Sequence, residues 1–358
     1  MTNNKQIPVF VGLMSGTSLD GLDIAICQFT SKENRYDYTL LAAKTVSYND
    51  ECRKRLSEVY SANAFDLAKL HADLGRYFGL EVKKITKKHG IAEAVVASHG
   101  HTIFHRPEIG FTTQIGCGAQ IAAHSGFDTV CDFRTIDVAK GGQGAPLVPI
   151  GDIFLFSEYD ACLNLGGIAN ISFDNKNKQR QAFDICICNM ALNYLAQKDG
   201  YLFDENGITA SKGKILPELV YQLIHLKAAE GKNTSLGYEF FEKNVLPVLD
   251  QFRSENNSDL LASVCEYIAF QIADVIKQNT LTTCLVTGGG SFNKHLIMLI
   301  KQKSAAEIII PNDEIINFKE AIVFAFLGYL RWNKQTNILK NYTGSNANSI
   351  AGAVYLSK

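Results

Sequence analysis

The segment Phe10-Val11-Gly12-Leu13-Met14-Ser15-Gly16-Thr17-Ser18-Leu19-Asp20-Gly21-Leu22-Asp23 is an apolar run, a small hydroxyl-bearing turn and a second apolar run. Small residues let backbone N–H groups come close to phosphate oxygens. Asp20 and Asp23 offer the hard oxygen ligands that Mg²⁺ prefers, often through water. A plain hairpin accounts for the same residues, because Asp-Gly is common in tight turns.

Two further glycine turns end apolar runs. One is Leu163-Asn164-Leu165-Gly166-Gly167-Ile168-Ala169-Asn170, and the other is Val286-Thr287-Gly288-Gly289-Gly290-Ser291-Phe292-Asn293. Three consecutive glycines admit a planar group lying flat, or an anion at a helix N-terminus. Competing phosphate motifs are absent. Gly213-Lys214 is followed by Ile215 and lacks the spaced first glycine of a P-loop, and no strand leads into G-x-G-x-x-G.

Other clusters carry chemistry less well. His99 and His101 point one way on a regular strand, and His105 follows, so shared metal ligation is conceivable. No acidic or cysteine partner stands close by. Nine cysteines occur, with Cys186-x-Cys188 the closest pair and no C-x-x-C. Their apolar neighbours indicate buried free thiols in a reducing compartment. Lys83, Lys84, Lys87 and Lys88 form the solvated face of a helix and lack the aromatic interleaving of a nucleic-acid site.

The elements that position these residues alternate. Pro8–Met14 and Leu22–Phe29 read as a strand hairpin. Between Asn63 and Lys88, residues Phe65, Leu70, Leu74, Phe78, Val82 and Ile85 make an amphipathic helix that stops near Gly90. Ala94–Ala97 is a buried strand, and Tyr159–Ser172 a second hairpin. Asp259–Gln278 is a helix leading to the strand Cys284–Val286. Ile308–Ile310 is a strand and Phe318–Trp332 a helix. The repeated glycine-turn hairpins predict a duplicated α/β design with mixed sheets flanked by helices.

At 358 residues the chain is long enough for two domains. With 35 Lys plus Arg against 36 Asp plus Glu it has no global field for gripping nucleic acid or an anionic membrane. Lys5 precedes the apolar run Ile7–Met14, but Ser15 and Asp20 interrupt that run and no A-x-A site follows, so a cytoplasmic location is expected.

The glycine segments belong to a longer series. It continues with Ser98-His-Gly-His-Thr-Ile-Phe-His-Arg-Pro107, Gln114-Ile-Gly116, Asp132-Phe-Arg134 and Gly141-Gly-Gln-Gly-Ala-Pro-Leu-Val-Pro149. Asn164–Asn170, Phe183-Asp184 with Asn189-Met190, Gly288–Gly290 and Glu320-Ala-Ile-Val-Phe-Ala325 complete it. In these segments the chain resembles the anhydro-N-acetylmuramic acid kinases, within the sugar kinase, Hsp70 and actin superfamily. The resemblance implies a two-lobed actin-like ATPase fold of ribonuclease H-like halves, with the nucleotide in the interlobe cleft. The expected lobes are 1–155 and 156–339, with about 340–358 returning to the first.

The resemblance also implies an activity. Such enzymes open the 1,6-anhydro ring of anhydro-N-acetylmuramic acid with water and phosphorylate O6 from ATP and Mg²⁺, recycling peptidoglycan fragments, commonly as homodimers. Asp184 falls on the family's general base and Glu320 on an assisting acid. Gly12, Ser15, Gly16, Thr17, Ser18, Asp20, Gly21, Asp23, Gly166, Gly167 and Gly288, Gly289 and Gly290 fall on the nucleotide site, with Asp20 and Asp23 at the metal. His99, Gln114, Arg134, Asn164 and Asn189 fall on the sugar site. Structural readings compete: Asp184 as a cap for a helix starting near Asn189, and Glu320 as a first-turn helix carboxylate. The chain departs from the family at Ile185-Cys186-Ile187-Cys188, where Thr-Gly-Pro-Gly is usual, and at Cys117-Gly118, where Asp-Pro is common. A different anhydro sugar, or a silent binding protein, is the alternative expectation.

Overall fold

The computed structural model describes residues 8–16, 19–33, 35–226 and 236–358. Its first strands are β1 (Val9–Ser15), β2 (Gly21–Lys32), β3 (Arg35–Ser47), β4 (Ala94–Arg106), β5 (Phe111–Ile115) and β6 (Asp128–Cys131). Then come β7 (Ala161–Leu165), β8 (Ile168–Asp174), β9 (Arg180–Ile187), β10 (Thr283–Thr287), β11 (Glu307–Ile309) and β12 (Ala353–Tyr355). Residues 1–156 with 318–358 form one unit and residues 157–317 another.

In the first unit the sheet order is β12-β6-β4-β1-β2-β3, with β5 on β4. Strands β1, β2 and β3 make an antiparallel meander, while β4 runs parallel to β1 and β6 parallel to β4. In the second unit the order is β11-β10-β7-β8-β9, with β7, β8 and β9 as the meander and β10 and β11 the parallel additions. One path is therefore followed twice. A meander of three strands with two parallel strands beyond its first member is the ribonuclease H-like order, and its duplication is the actin-like ATPase pattern.

Parallel pairing of β1 with β4 requires a crossover, which the helix Ala64–Lys88 supplies. The Asn63 side chain caps it by accepting from the Asp66 amide. Leu70, Leu74, Phe78, Val82 and Ile85 are buried in one core with Val11, Leu13, Leu22, Ile24 and Ile26. Phe65, expected on that face, is 76% exposed. Five residues before Leu70, it lies about 140° around the helix from the stripe.

The helix Asp313–Trp332 explains the late return of the chain, which comes at Phe318 and not near residue 340. Small residues let this helix approach the first sheet. A Cβ at Gly12 would sit 1.8 Å from the Ala321 carbonyl oxygen and 2.7 Å from the Ala325 amide nitrogen, and one at Gly328 would sit 2.4 Å from the Ala97 Cβ. Gly12 is thus a packing residue in the middle of β1, not part of the turn that follows Ser15. Gly12→Ala is expected to lower the urea unfolding stability by about 3 kcal/mol, at the upper end of overpacking costs. An unchanged unfolding midpoint would contradict this contact.

Candidate active site

The first hairpin forms as its sequence predicts, with Val9 to Ser15 paired against Gln28 to Leu22. Thr17 and Ser18 lie outside the described residues. Gly16 is half-buried in the turn, and Leu19 adopts φ 59°. The Ser15 hydroxyl is not available to a ligand: it accepts from Tyr48 Oη at 2.7 Å and lies 3.0 Å from His101 Nδ1, with all three residues buried. Gly21 is also a packing position, since a Cβ there would meet the Val46 carbonyl oxygen at 2.5 Å.

Two carboxylates flank this turn. Asp20 is exposed, and Asp23 accepts from the Thr45 hydroxyl at 2.5 Å. Burial raises the Asp23 pKa and the Asp20 charge adds to the rise, while Thr45 opposes it. Glu320 joins them electrostatically. Its pKa is raised chiefly by desolvation and further by Asp23, against the attraction of Arg134 and Lys319. Glu320 lies well inside its helix, past Asp313 and Glu314 in the first turn, so the helix-end explanation for it fails.

A raised carboxyl pKa means that the ionised form costs stability in the folded chain. Glu320's favourable contribution is present below the unfolded pKa and is lost as pH rises through the folded one. Glu320→Gln is therefore expected to raise the thermal midpoint near neutral pH, and to leave it close to the parent's at about pH 4. A lowered midpoint at neutral pH would contradict the electrostatic account.

Arg134 is held on two sides. Its Nε and Nη2 lie 3.0 and 2.9 Å from His99 Nε2, and its Nη1 donates to the Gly144 carbonyl oxygen at 2.6 Å. Gly144 is itself fixed by Asp137, which accepts from the Gly144 amide at 2.8 Å and from the Thr343 hydroxyl at 2.7 Å. Burial lowers the Arg134 pKa to about 10, with Glu320 pulling it upward, so the guanidinium stays charged at neutral pH. Gln114 is turned to its own sheet, donating to Thr112 Oγ1 at 2.8 Å and Thr102 Oγ1 at 3.3 Å.

The three histidines do not share a metal site. Gly100 has φ 77° and breaks the strand alternation, so His99 faces Arg134 while His101 faces Ser15. His105 pairs with Thr112 at 3.1 Å. Among the described residues no group of three or more His, Cys, Asp or Glu side chains is placed to hold a metal ion.

In the second unit three expected segments converge. The hairpin turn between β7 and β8 is tied to the helix Asn189–Lys198: the Cys188 and Met190 amides donate to Gly167 O at 2.9 and 3.1 Å, and the Asn189 amide to Gly166 O at 3.1 Å. Asn189 Nδ2 donates to the Leu165 carbonyl oxygen at 2.9 Å. A Cβ at Gly288 (φ 83°) would sit 2.5 Å from Asn164 Oδ1, and one at Gly290 would sit 2.7 Å from the Leu165 Cβ. Gly289 is exposed, with nothing nearer its Cβ position than Asn189 Nδ2 at 3.9 Å. The triplet does not open an α-helix, as its sequence suggests. A 3₁₀ turn intervenes, and the helix Lys294–Lys303 is capped by Asn293.

Beside Gly290, Ser291 and Phe292 line a cavity of about 590 Å³ together with apolar Ile297, Met298, Ile310 and Ile316 and with Lys294 and Lys301. Sequence reasoning missed this cavity, because beyond Ser291 and Phe292 its walls come from two helices and the residue after β11, none of them in a motif. It also missed Tyr48, Asp137 and Gly144. Gly144 lies in the quoted Gly141-Gly-Gln-Gly segment, whose glycines were the available signal.

Asp184 lies within β9, opposite Asn170, in a unit separate from that of Glu320. Its carboxylate accepts from the Leu236 amide at 2.8 Å. The helix at Asn189 has Cys188 as its N-cap residue with no side-chain cap bond, so Asp184 is not a helix cap. A register shift lets Ala169 pair with Cys186 and Asn170 with Asp184, leaving Ile185 as the extra residue.

The family described as anhydro-N-acetylmuramic acid kinase matches residues 8–357. The chain belongs to that family. It is 32% identical to the anhydro-N-acetylmuramic acid kinase of Legionella pneumophila (strain Paris), covering 97% of this chain and 98% of that protein. It is 33% identical to the enzyme of that name from Francisella tularensis subsp. novicida, covering 96% and 97%. The figures for Caldanaerobacter subterraneus subsp. tengcongensis are 32% identity over 99% and 98%.

Both departures from the family's sequence pattern have local explanations. Residues 185–188 need no positive φ, because β9 runs on to Ile187. Cys186, Ile187 and Cys188 are buried in the core of the second unit. Burial raises the Cys186 thiol pKa well above normal and the Cys188 thiol to about 12, which leaves both protonated and unreactive. Cys117 is the N-cap residue of the helix Gly118–Ser125 and makes no side-chain cap bond, at a position where an aspartate can cap and a following proline suits the first helical turn.

Proposed function

We propose that this chain opens the 1,6-anhydro ring of anhydro-N-acetylmuramic acid and phosphorylates O6, forming N-acetylmuramate 6-phosphate and ADP. The observation that carries this reading is the family match along residues 8–357. Asp184 takes a proton from water as that water attacks C1 on the face opposite the bridging oxygen. The C1–O6 bond breaks, and O6 takes the γ-phosphoryl group of ATP as ADP leaves. One base thereby drives two bond changes. The Leu236 amide donates to the Asp184 carboxylate and holds it in place.

Other residues orient and neutralise. Arg134 keeps one N–H on each terminal nitrogen beyond its described partners, which suits the carboxylate of the sugar's lactyl substituent. The exposed Gly289 and the neighbouring apolar cavity suit a purine base. Asp20 raises the Asp23 pKa and Asp23 raises that of Glu320, which suits a cation beside Asp23, and a Mg²⁺ that keeps water and phosphate ligands needs only one or two carboxylates. Asp20 and Asp23 would hold it, and it would neutralise charge on the transferring phosphoryl group. We place the protein in the cytoplasm as a homodimer.

The test is incubation of the pure protein with ATP, Mg²⁺ and the anhydro sugar, with detection by mass. A sugar phosphate heavier by one phosphoryl group and one water is expected. ADP release without that product would defeat the reading.

A further inference from the structure

The sugar-site expectation for His99 does not match its surroundings, and these assign it another task. The ring is 5% exposed and rests on Phe324, with centroids 4.7 Å apart. Its Nδ1 lies 3.0 Å from the Gly100 carbonyl oxygen, which can only accept, so Nδ1 carries the proton. Nε2 is then the lone-pair nitrogen, and both Arg134 donors meet it. No ring nitrogen remains for a ligand.

We infer that His99 is a positioning residue: a neutral imidazole, locked in one tautomer by the Gly100 carbonyl, that aims the Arg134 guanidinium at an anionic group of the substrate. The Gly144 carbonyl fixes Nη1 from another side. The five N–H bonds of the guanidinium are thereby divided, with three on the protein and one on each terminal nitrogen left to meet an anion. Burial and the adjacent Arg134 charge push the His99 pKa down to about 3, with His101 and His105 acting in the same direction, so the lock holds throughout the physiological range. This rests on the reading of Arg134 as the carboxylate-binding residue.

Two measurements test it. The first is ¹⁵N NMR of the labelled full chain across about pH 5 to 8, where an unperturbed histidine would titrate. His99 is expected to stay neutral with the proton on Nδ1; a protonated ring or an Nε2–H tautomer overturns the proposal whatever the enzyme's substrate. The second compares His99→Phe, which keeps the stacked ring, with His99→Gln, whose carbonyl oxygen restores an acceptor. His99→Phe is expected to raise KM for anhydro-N-acetylmuramic acid roughly ten- to hundredfold, the effect of losing hydrogen bonds to a charged group. KM for ATP, and KM for 1,6-anhydro-N-acetylglucosamine, which lacks the carboxylate, should not change. His99→Gln should recover most of the loss. Equal KM for the parent and His99→Phe, or a displaced pH–rate profile in His99→Gln, overturns it. If the parent turns over neither sugar, the functional reading falls, and the NMR result alone decides the role of His99.

Discussion

Asp184→Asn is expected to bind ATP as the parent does and to form sugar phosphate at least a thousandfold more slowly, within the roughly 10²–10⁴ span of general base catalysis. The amide keeps an oxygen to accept from the Leu236 amide at 2.8 Å, so the local fold survives. On the proposed role, what it loses is the ability to take a proton from water, so water attacks C1 far more slowly and O6 is released to attack phosphorus at a correspondingly lower rate. Rate measurements under saturating sugar separate this loss from weakened binding. Turnover within tenfold of the parent would remove Asp184 as the base.

Lys319→Met is expected to cost about 3–5 kcal/mol of folding stability. Lys319 Nζ lies 2.7 Å from Asp152 Oδ1, with side chains only 7% and 5% exposed. The ammonium also sits 5.2 Å from the centre of the Phe156 ring. This pair joins the helix carrying Glu320 to the helix Pro149–Phe154, inside the first unit. Removing the lysine leaves the buried Asp152 carboxylate without the ammonium that neutralises it, which is worse than removing both charges. The double variant Lys319→Met/Asp152→Leu should therefore recover most of the loss in urea unfolding. Equal stability for the single and double variants would show that the pair is not desolvated as described.

The legible parts of the fold were those with strong local signals. Both hairpins, the helix Ala64–Lys88 and the strand at Cys284 follow from apolar runs, glycine turns and a 3.6-residue period. Strand β3 was not legible, because this strand alternates exposed and half-buried residues with little apolar contrast. The short strands β6 and β12 pair with each other over 220 residues of sequence, which no local pattern encodes. The helix Asp313–Trp332 began five residues before its predicted start, at a run whose acidic residues read as loop.

The candidate site divided in the same way. Residue types pointed to Asp23 and the Gly288–Gly290 turn, and the family resemblance to Arg134 and Asn189. They could not distinguish a glycine that meets a ligand from one that admits a backbone. Gly12 and Gly21 lie against Ala321 and Val46, while Gly289 stays open. Nor could they separate a histidine that binds substrate from one that faces an arginine. That depended on Gly100 turning the chain to φ 77°, which divides His99 from His101.

The central claim, that water opens the sugar ring while O6 receives the phosphoryl group, is tested most directly by isotope. The reaction should be run in H₂¹⁸O and stopped early, with the products weighed and fragmented by mass spectrometry. We predict one ¹⁸O in the sugar phosphate, at C1, and none in its phosphate group. A sugar phosphate without label at C1, or label appearing only in free inorganic phosphate, would contradict the account.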